Sequence, residues 1–311
     1  MIIGSRYSPA PTDAPFVLIL GQSNAAGNAL TSRLANTQYN YVGISTGYPT
    51  PRVAQAQYPT GVITGVKTYF KNLLAAADQS VDNGAWADLN VGVNQHMATG
   101  SVHFGPELSL GNRLYAQAGA PIWLVKYAYG GTGLTKYGST AAPGPWNTTL
   151  RYNAMEYFLR RGVRDFRTAN PTLRPRCVGI LWWQGETDAN NGISKTGYKY
   201  NFQALKNYVD GVIGELFPTS TARQHVWNIV KLKFSENAAE TVINTALAEL
   251  VAENARCYLI DQTAFPQRDA LTVGEASPVA VTGADDAHSS YITQLAVGEL
   301  AAANIIAAGL L

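Results

Sequence analysis

Charge is scarce in this chain. Asp, Glu, Lys and Arg make up 14% of its 311 residues, where about a quarter is usual, and they nearly cancel to a formal net charge of +2. A balance so close to neutral gives no basic surface for nucleic acid and none for an anionic membrane. The surface must rely on neutral polar groups, as many extracellular or virion-borne proteins do, and that compartment is the expectation. Cysteine is almost missing too. Cys177 and Cys257 cannot make a structural zinc site by themselves, and His96, His103, His225 and His288 show no zinc-ligand spacing. Each cysteine precedes an apolar run, so the two are expected at the starts of neighbouring strands, as buried free thiols rather than a disulfide. No stretch of about 18 apolar residues occurs, and the first fifteen residues hold no long apolar segment before a cleavage site. The expectation is a soluble chain with no membrane partner, which does not prove a cytoplasmic home. The G-x-S-x-G elbow of many serine hydrolases is also lacking.

Apolar residues, at 46%, are ample for a sizeable core. Short continuous apolar runs at 16–20, 122–128, 178–183, 226–232 and 257–261 read as strands buried on both faces. Between and after them, 106–118, 150–168, 197–216, 237–254 and 289–308 read as helices. That alternation predicts an α/β fold, a flavodoxin-like three-layer α/β/α sandwich around a central five-stranded parallel sheet. Length permits two domains, but a single one over 1–311 is the expectation. The stretch 31–105, rich in Gly, Pro, Gln, Asn and Tyr, is too long for a simple connection and reads as a loop/β insertion after the first helix, lying over one end of the sheet. Residues 62–70 form a candidate strand within it. The insertion either caps the core or shapes a substrate cleft.

In F-V-L-I-L-G-Q-S-N-A-A-G (16–27), a buried strand breaks at Gly21 into small polar residues. Ser23 then falls where strand becomes helix, among unpaired backbone N–H groups. Two readings stand: a helix N-cap, or a nucleophile. In open α/β sheets ligands bind where loops leave the carboxyl ends of strands. That position is shared by the loop 130–147, by W-W-Q-G-E-T-D (182–188) and by A-D-D-A-H-S-S-Y (284–291).

The set G-Q-S-N, G-P-E-L-S, Y-G-G-T-G-L, W-W-Q-G-E-T-D and a late D-x-x-H, in this order from residue 16 to about 300, resembles the SGNH hydrolase superfamily. Within it the pattern is similar to the sialate O-acetylesterase and acetylxylan esterase group, carbohydrate esterase family 6. The resemblance implies a serine esterase that removes O-acetyl groups from a carbohydrate, with no cofactor and no metal. Ser23 would be the nucleophile, His288 the general base and acid, and Asp285 the orienting carboxylate, with Asp286 its rival. The oxyanion hole would draw on the backbone N–H of Ser23, that of Gly130 or Gly131, and the side-chain amide of Gln184. Glu107 and Glu186 read as structural hydrogen-bond acceptors. Trp146 and Tyr137, in a loop, are candidates for sugar stacking, whereas Trp182 and Trp183 point to opposite faces of a strand, so at least one belongs to the core. A non-catalytic glycan-binding module and a lipase or thioesterase on the same scaffold are the alternatives. Neither the glycan nor the oligomeric state is legible at this level.

Overall fold

The computed structural model describes residues 12–27, 29–30, 62–73, 80–82, 85–90, 103–135, 145–147, 149–218, 225–232, 238–262, 289 and 291–311. Its strands are β1 (Thr12–Gly21), β2 (Ala29–Leu30), β3 (Val62–Leu73), β4 (Ser80–Asp82), β5 (Ala87–Asn90), β6 (His103–Phe104), β7 (Ile122–Tyr129), β8 (Leu173–Trp183), β9 (Val226–Val230) and β10 (Cys257–Ile260). Its helices are α1 (Ser23–Ala26), α2 (Glu107–Ala118), α3 (Thr149–Ala169), α4 (Glu186–Asn190), α5 (Lys195–Leu216), α6 (Ala238–Glu253) and α7 (Tyr291–Ala307).

The main sheet runs β10-β9-β8-β1-β7-β3-β4, with β5 also paired to β3, and β2 and β6 form a separate two-stranded ladder. Every pairing from β10 to β3 is parallel, whereas β4 and β5 run antiparallel to β3. The five predicted parallel strands are therefore present, and β3 adds a sixth. The described parts of 31–105 do not simply lie over one end of the sheet: they widen it, because β3 lies in register along the free edge of β7.

Side-chain alternation sorts the sheet into two faces. Phe16, Leu18 and Leu20 of β1 pack with Trp182 and with residues of α3, α5 and α6. Val17 and Ile19 pack with Trp183 and with residues of α2 and α7. Trp182 and Trp183 are both core, one in each layer. Burying such side chains stabilises the fold by roughly 1.5–3 kcal/mol each before chain entropy is set against it.

Cys177 and Cys257 are free and buried, as expected. They are not on neighbouring strands, however: β9 lies between β8 and β10. At about 4.8 Å per strand spacing, that separation alone exceeds the ~7 Å limit between bridged Cα atoms. Burial pushes the Cys177 thiol up to about 12 and the Cys257 thiol up to about 11, so neither is a ready nucleophile.

Candidate active site

The turn that ends β1 passes a close approach that only glycine tolerates. Gly21 has φ +145°, and a Cβ there would lie 2.1 Å from the carbonyl oxygen of Trp183 on the adjacent strand. That same oxygen accepts the N–H of Gln22 at 3.0 Å, which fixes where β1 lets go of the sheet. Helix α1 starts at once, with Gln22 in the capping position and no side-chain cap bond. Ser23 is thus the first helical residue rather than an N-cap. It is 8% exposed, and among the described residues its hydroxyl has no hydrogen-bond partner. Enclosed hydroxyls are normally partnered, which sets this one at a strand end apart.

The next residue, Asn24, is fully buried and joins three parts of the chain. Its Nδ2 donates to Glu186 Oε1 at 2.6 Å, its Oδ1 accepts the backbone N–H of Ser289 at 2.9 Å, and its carbonyl accepts from Gln294 Nε2 at 3.3 Å. Ser289 is held a second time, its hydroxyl donating to Gln262 Oε1 at 2.9 Å. The residue directly after His288 is therefore bound to the residue directly after Ser23. Burial pushes the Glu186 carboxyl up to about 7, the bond from Asn24 opposing it, and among the described residues Glu186 Oε2 has no hydrogen-bond partner.

A second network lies at the ends of β8 and β7. Gln184 is fully buried, and its Nε2 donates to the Thr132 carbonyl at 3.0 Å and to Asp188 Oδ2 at 2.5 Å. The Tyr198 hydroxyl donates to the Gln184 carbonyl at 3.0 Å and lies 3.3 Å from its Oε1. The opposite amide orientation would set Oε1 against a carbonyl and a carboxylate, so the network fixes the assignment. Asp188 also accepts the N–H of Leu134 at 2.8 Å, and burial pushes its carboxyl up to about 6. Both amide hydrogens of Gln184 are committed, which departs from the expected oxyanion donor.

Trp146 also departs from expectation. It is fully enclosed, edge-on to Trp182 and Tyr127, with its indole N–H donating to Thr132 Oγ1 at 2.9 Å. No face of the ring is left for a sugar. Gly130 and Gly131 lie in the turn closed by the Thr132 hydroxyl donating to the Tyr129 carbonyl at 2.7 Å, and Gly131 has φ +66°. Tyr137, Asp285, Asp286 and His288 lie outside the described residues.

A buried ion pair is linked through Gly105 to the end of α1. Lys126 of β7 and Glu107 at the start of α2, each 2% exposed, meet at 2.9 Å. The other Glu107 oxygen accepts the N–H of Gly105 at 2.9 Å, and Gly105 packs on the backbone of Gly27, where α1 ends. Glu107 and Glu186 are both hydrogen-bond acceptors, as read from sequence. Sequence reasoning passed over Asn24, Asp188, Ser289 and Lys126 as site residues. The signal for Lys126 was present: it is the one charge in I-W-L-V-K-Y-A-Y.

These ends of β1, β7 and β8 put an open serine, a glycine turn and buried carboxylates on one rim of the sheet, an arrangement suited to acyl transfer. A profile of the carbohydrate esterase, sialic acid-specific acetylesterase family matches residues 14–214. A sequence comparison with curated proteins finds no match. Among solved structures, a protein from Arabidopsis thaliana is similar at 16% identity and TM-score 0.53, over 95% of this chain and 98% of that one. A carbohydrate acetylesterase from Xanthomonas citri is similar at 14% identity and TM-score 0.48, over 94% of this chain and 55% of that one. A family two carbohydrate esterase from Clostridium thermocellum is similar at 15% identity and TM-score 0.42, over 98% and 67% respectively. With well over half its length matched by the family profile, the chain belongs to the carbohydrate esterase, sialic acid-specific acetylesterase family and is a carboxylic ester hydrolase.

Proposed function

We propose that this esterase removes O-acetyl groups from a carbohydrate through an acyl-Ser23 intermediate, with His288 as general base and acid and Asp285 as the orienting carboxylate. His288 takes the proton of Ser23 Oγ as that oxygen attacks the acetyl carbonyl. The tetrahedral oxyanion is received by the backbone N–H of Ser23 and by that of Gly130 or Gly131. Its collapse expels the sugar oxygen, which leaves with the proton from His288. A water then repeats the sequence on the acyl-enzyme, releasing acetate and restoring the serine. Asp285 holds the imidazole tautomer and stabilises the imidazolium. Tyr137 is the proposed sugar-stacking residue.

The observation that carries this reading is the 2.9 Å bond from Ser289 N–H to Asn24 Oδ1, which joins the neighbours of the proposed base and nucleophile across 265 positions. The substrate class is an acetylated sialic acid, xylan or another acetylated polysaccharide. A panel of such glycans, assayed for acetate release by wild type and by Ser23→Ala, tests it. Release by wild type alone, with both proteins equally folded, is expected. Full activity in folded Ser23→Ala would overturn the mechanism.

A further inference from the structure

We propose that Gln184 and Asp188 are positioning residues that strap the oxyanion turn to the end of β8, and that neither donates a hydrogen bond to the reacting ester. The inference rests on the reading that Gly130 or Gly131 supplies an oxyanion N–H. The turn leaves β7 at Tyr129 and is followed at once by three residues with fixed anchors. Thr132 gives its carbonyl to Gln184, its hydroxyl bonds back to Tyr129 and accepts from the Trp146 indole, and Leu134 gives its N–H to Asp188. Trp146 and Asn147 bond through their backbone N–H groups to the carbonyls of Gly133 and Leu134 at 3.0 and 2.8 Å, so the loop returns over its own anchors.

All the side chains in this strap are enclosed: Thr132, Trp146 and Gln184 fully, and Asp188 at 1% exposed. Asp188 is the pivot, because one of its oxygens takes both the Leu134 N–H and the Gln184 amide. Charge on that acceptor strengthens both bonds, and a low-dielectric setting strengthens them further. An oxyanion donor works only when it is held in place before charge develops, and a displacement of about 1 Å can cost about 10²-fold in rate. The strap supplies that restraint to a glycine pair that has no side chains of its own to anchor.

Three roles for Gln184 separate experimentally. Gln184→Leu and Asp188→Leu should each speed amide hydrogen exchange across 129–135 and lower kcat on a small acetyl ester by about 10²-fold, with KM little changed. Turnover is expressed per Ser23 labelled by a fluorophosphonate. A fall in kcat with unchanged exchange overturns the proposal and returns Gln184 to the oxyanion hole. Faster exchange with wild-type kcat also overturns it, leaving a purely structural tie. If a leucine variant does not fold, Asp188→Asn carries the test. It keeps an acceptor for Leu134 but makes the bond to Gln184 neutral, so loop exchange should quicken and kcat fall several-fold together; either change alone, or neither, overturns the proposal. Labelling separates this from the underlying reading: a folded wild type whose Ser23 takes no fluorophosphonate refutes the acyl-Ser23 mechanism, whatever the loop does.

Discussion

Asn24 and Glu186 meet at 2.6 Å inside the protein, 162 positions apart in sequence, and the same asparagine receives Ser289. Replacing it by alanine would leave the Ser289 N–H and the Glu186 carboxyl without this partner in an enclosed space. At about 1–3 kcal/mol for each unsatisfied group, Asn24→Ala should lose roughly 2–6 kcal/mol in urea unfolding. The folded fraction should also turn over more slowly, since Ser289, directly after the proposed base His288, loses its tie to the residue after the proposed nucleophile. A stable variant with wild-type kcat would show that the tie does not orient the base.

The two carboxyls of α4 make stability depend on pH in an unusual direction. Burial raises Glu186 from 4.5 to about 7 and Asp188 from 3.8 to about 6. Each holds its proton in the folded state where the unfolded chain has released it, so their contribution is fully present below about pH 4 and is lost as pH rises through 6 and then 7. The Glu186 shift corresponds to a loss on the order of 3 kcal/mol. Glu186→Gln, which cannot ionise, should flatten the decline between pH 4.5 and 7, as read from urea midpoints at pH 5 and 8. Parallel wild-type and variant profiles would mean that the carboxyl titrates normally.

The Lys126–Glu107 pair yields a stability test on the opposite layer. Burial lowers the Lys126 pKa, with Glu107 opposing that effect. Glu107→Gln removes the counter-charge while keeping an acceptor for Gly105, so the loss should reflect the ammonium and amount to roughly 3–5 kcal/mol. Lys126→Met should cost less, because the remaining carboxylate keeps the Gly105 N–H as a donor. Equal losses in the two variants would argue against this account.

Asp285 and Asp286 are distinguished by ranking. Asp285→Asn should lower kcat by up to about 10⁴-fold, the scale for neutralising a triad carboxylate, and Asp286→Asn far less. Steady-state kinetics on a small acetyl ester gives the order directly, and a reversed order would move the orienting role to Asp286.

Much of the architecture was legible because buried parallel strands read as unbroken apolar runs and their helices as periodic ones. β3 was visible only as a candidate strand. Its sequence, V-I-T-G-V-K-T-Y-F-K-N-L, mixes polar residues among apolar ones, because Lys67 pairs with Asp88 of β5 beyond the parallel core. The turn at Ser23 was readable from local chemistry alone, since the glycine, the strand end and the serine are contiguous. The fate of Gln184 was not, because one of its acceptors, Thr132, stands 52 positions away on another strand's loop. Trp146 misled for a related reason: a loop position suggests exposure, yet its backbone bond to Gly133 and its indole bond to Thr132 turn the ring inward.

β1 is hydrogen-bonded along both edges, to β7 on one side and β8 on the other. Local opening reaches loops and sheet margins long before such a strand. Ser23, the proposed nucleophile, is therefore moored to the part of the molecule that yields last, whereas loops in general tolerate insertion and exchange. Loop grafts among related esterases should alter which ester is admitted and leave the position of the Ser23 hydroxyl unchanged.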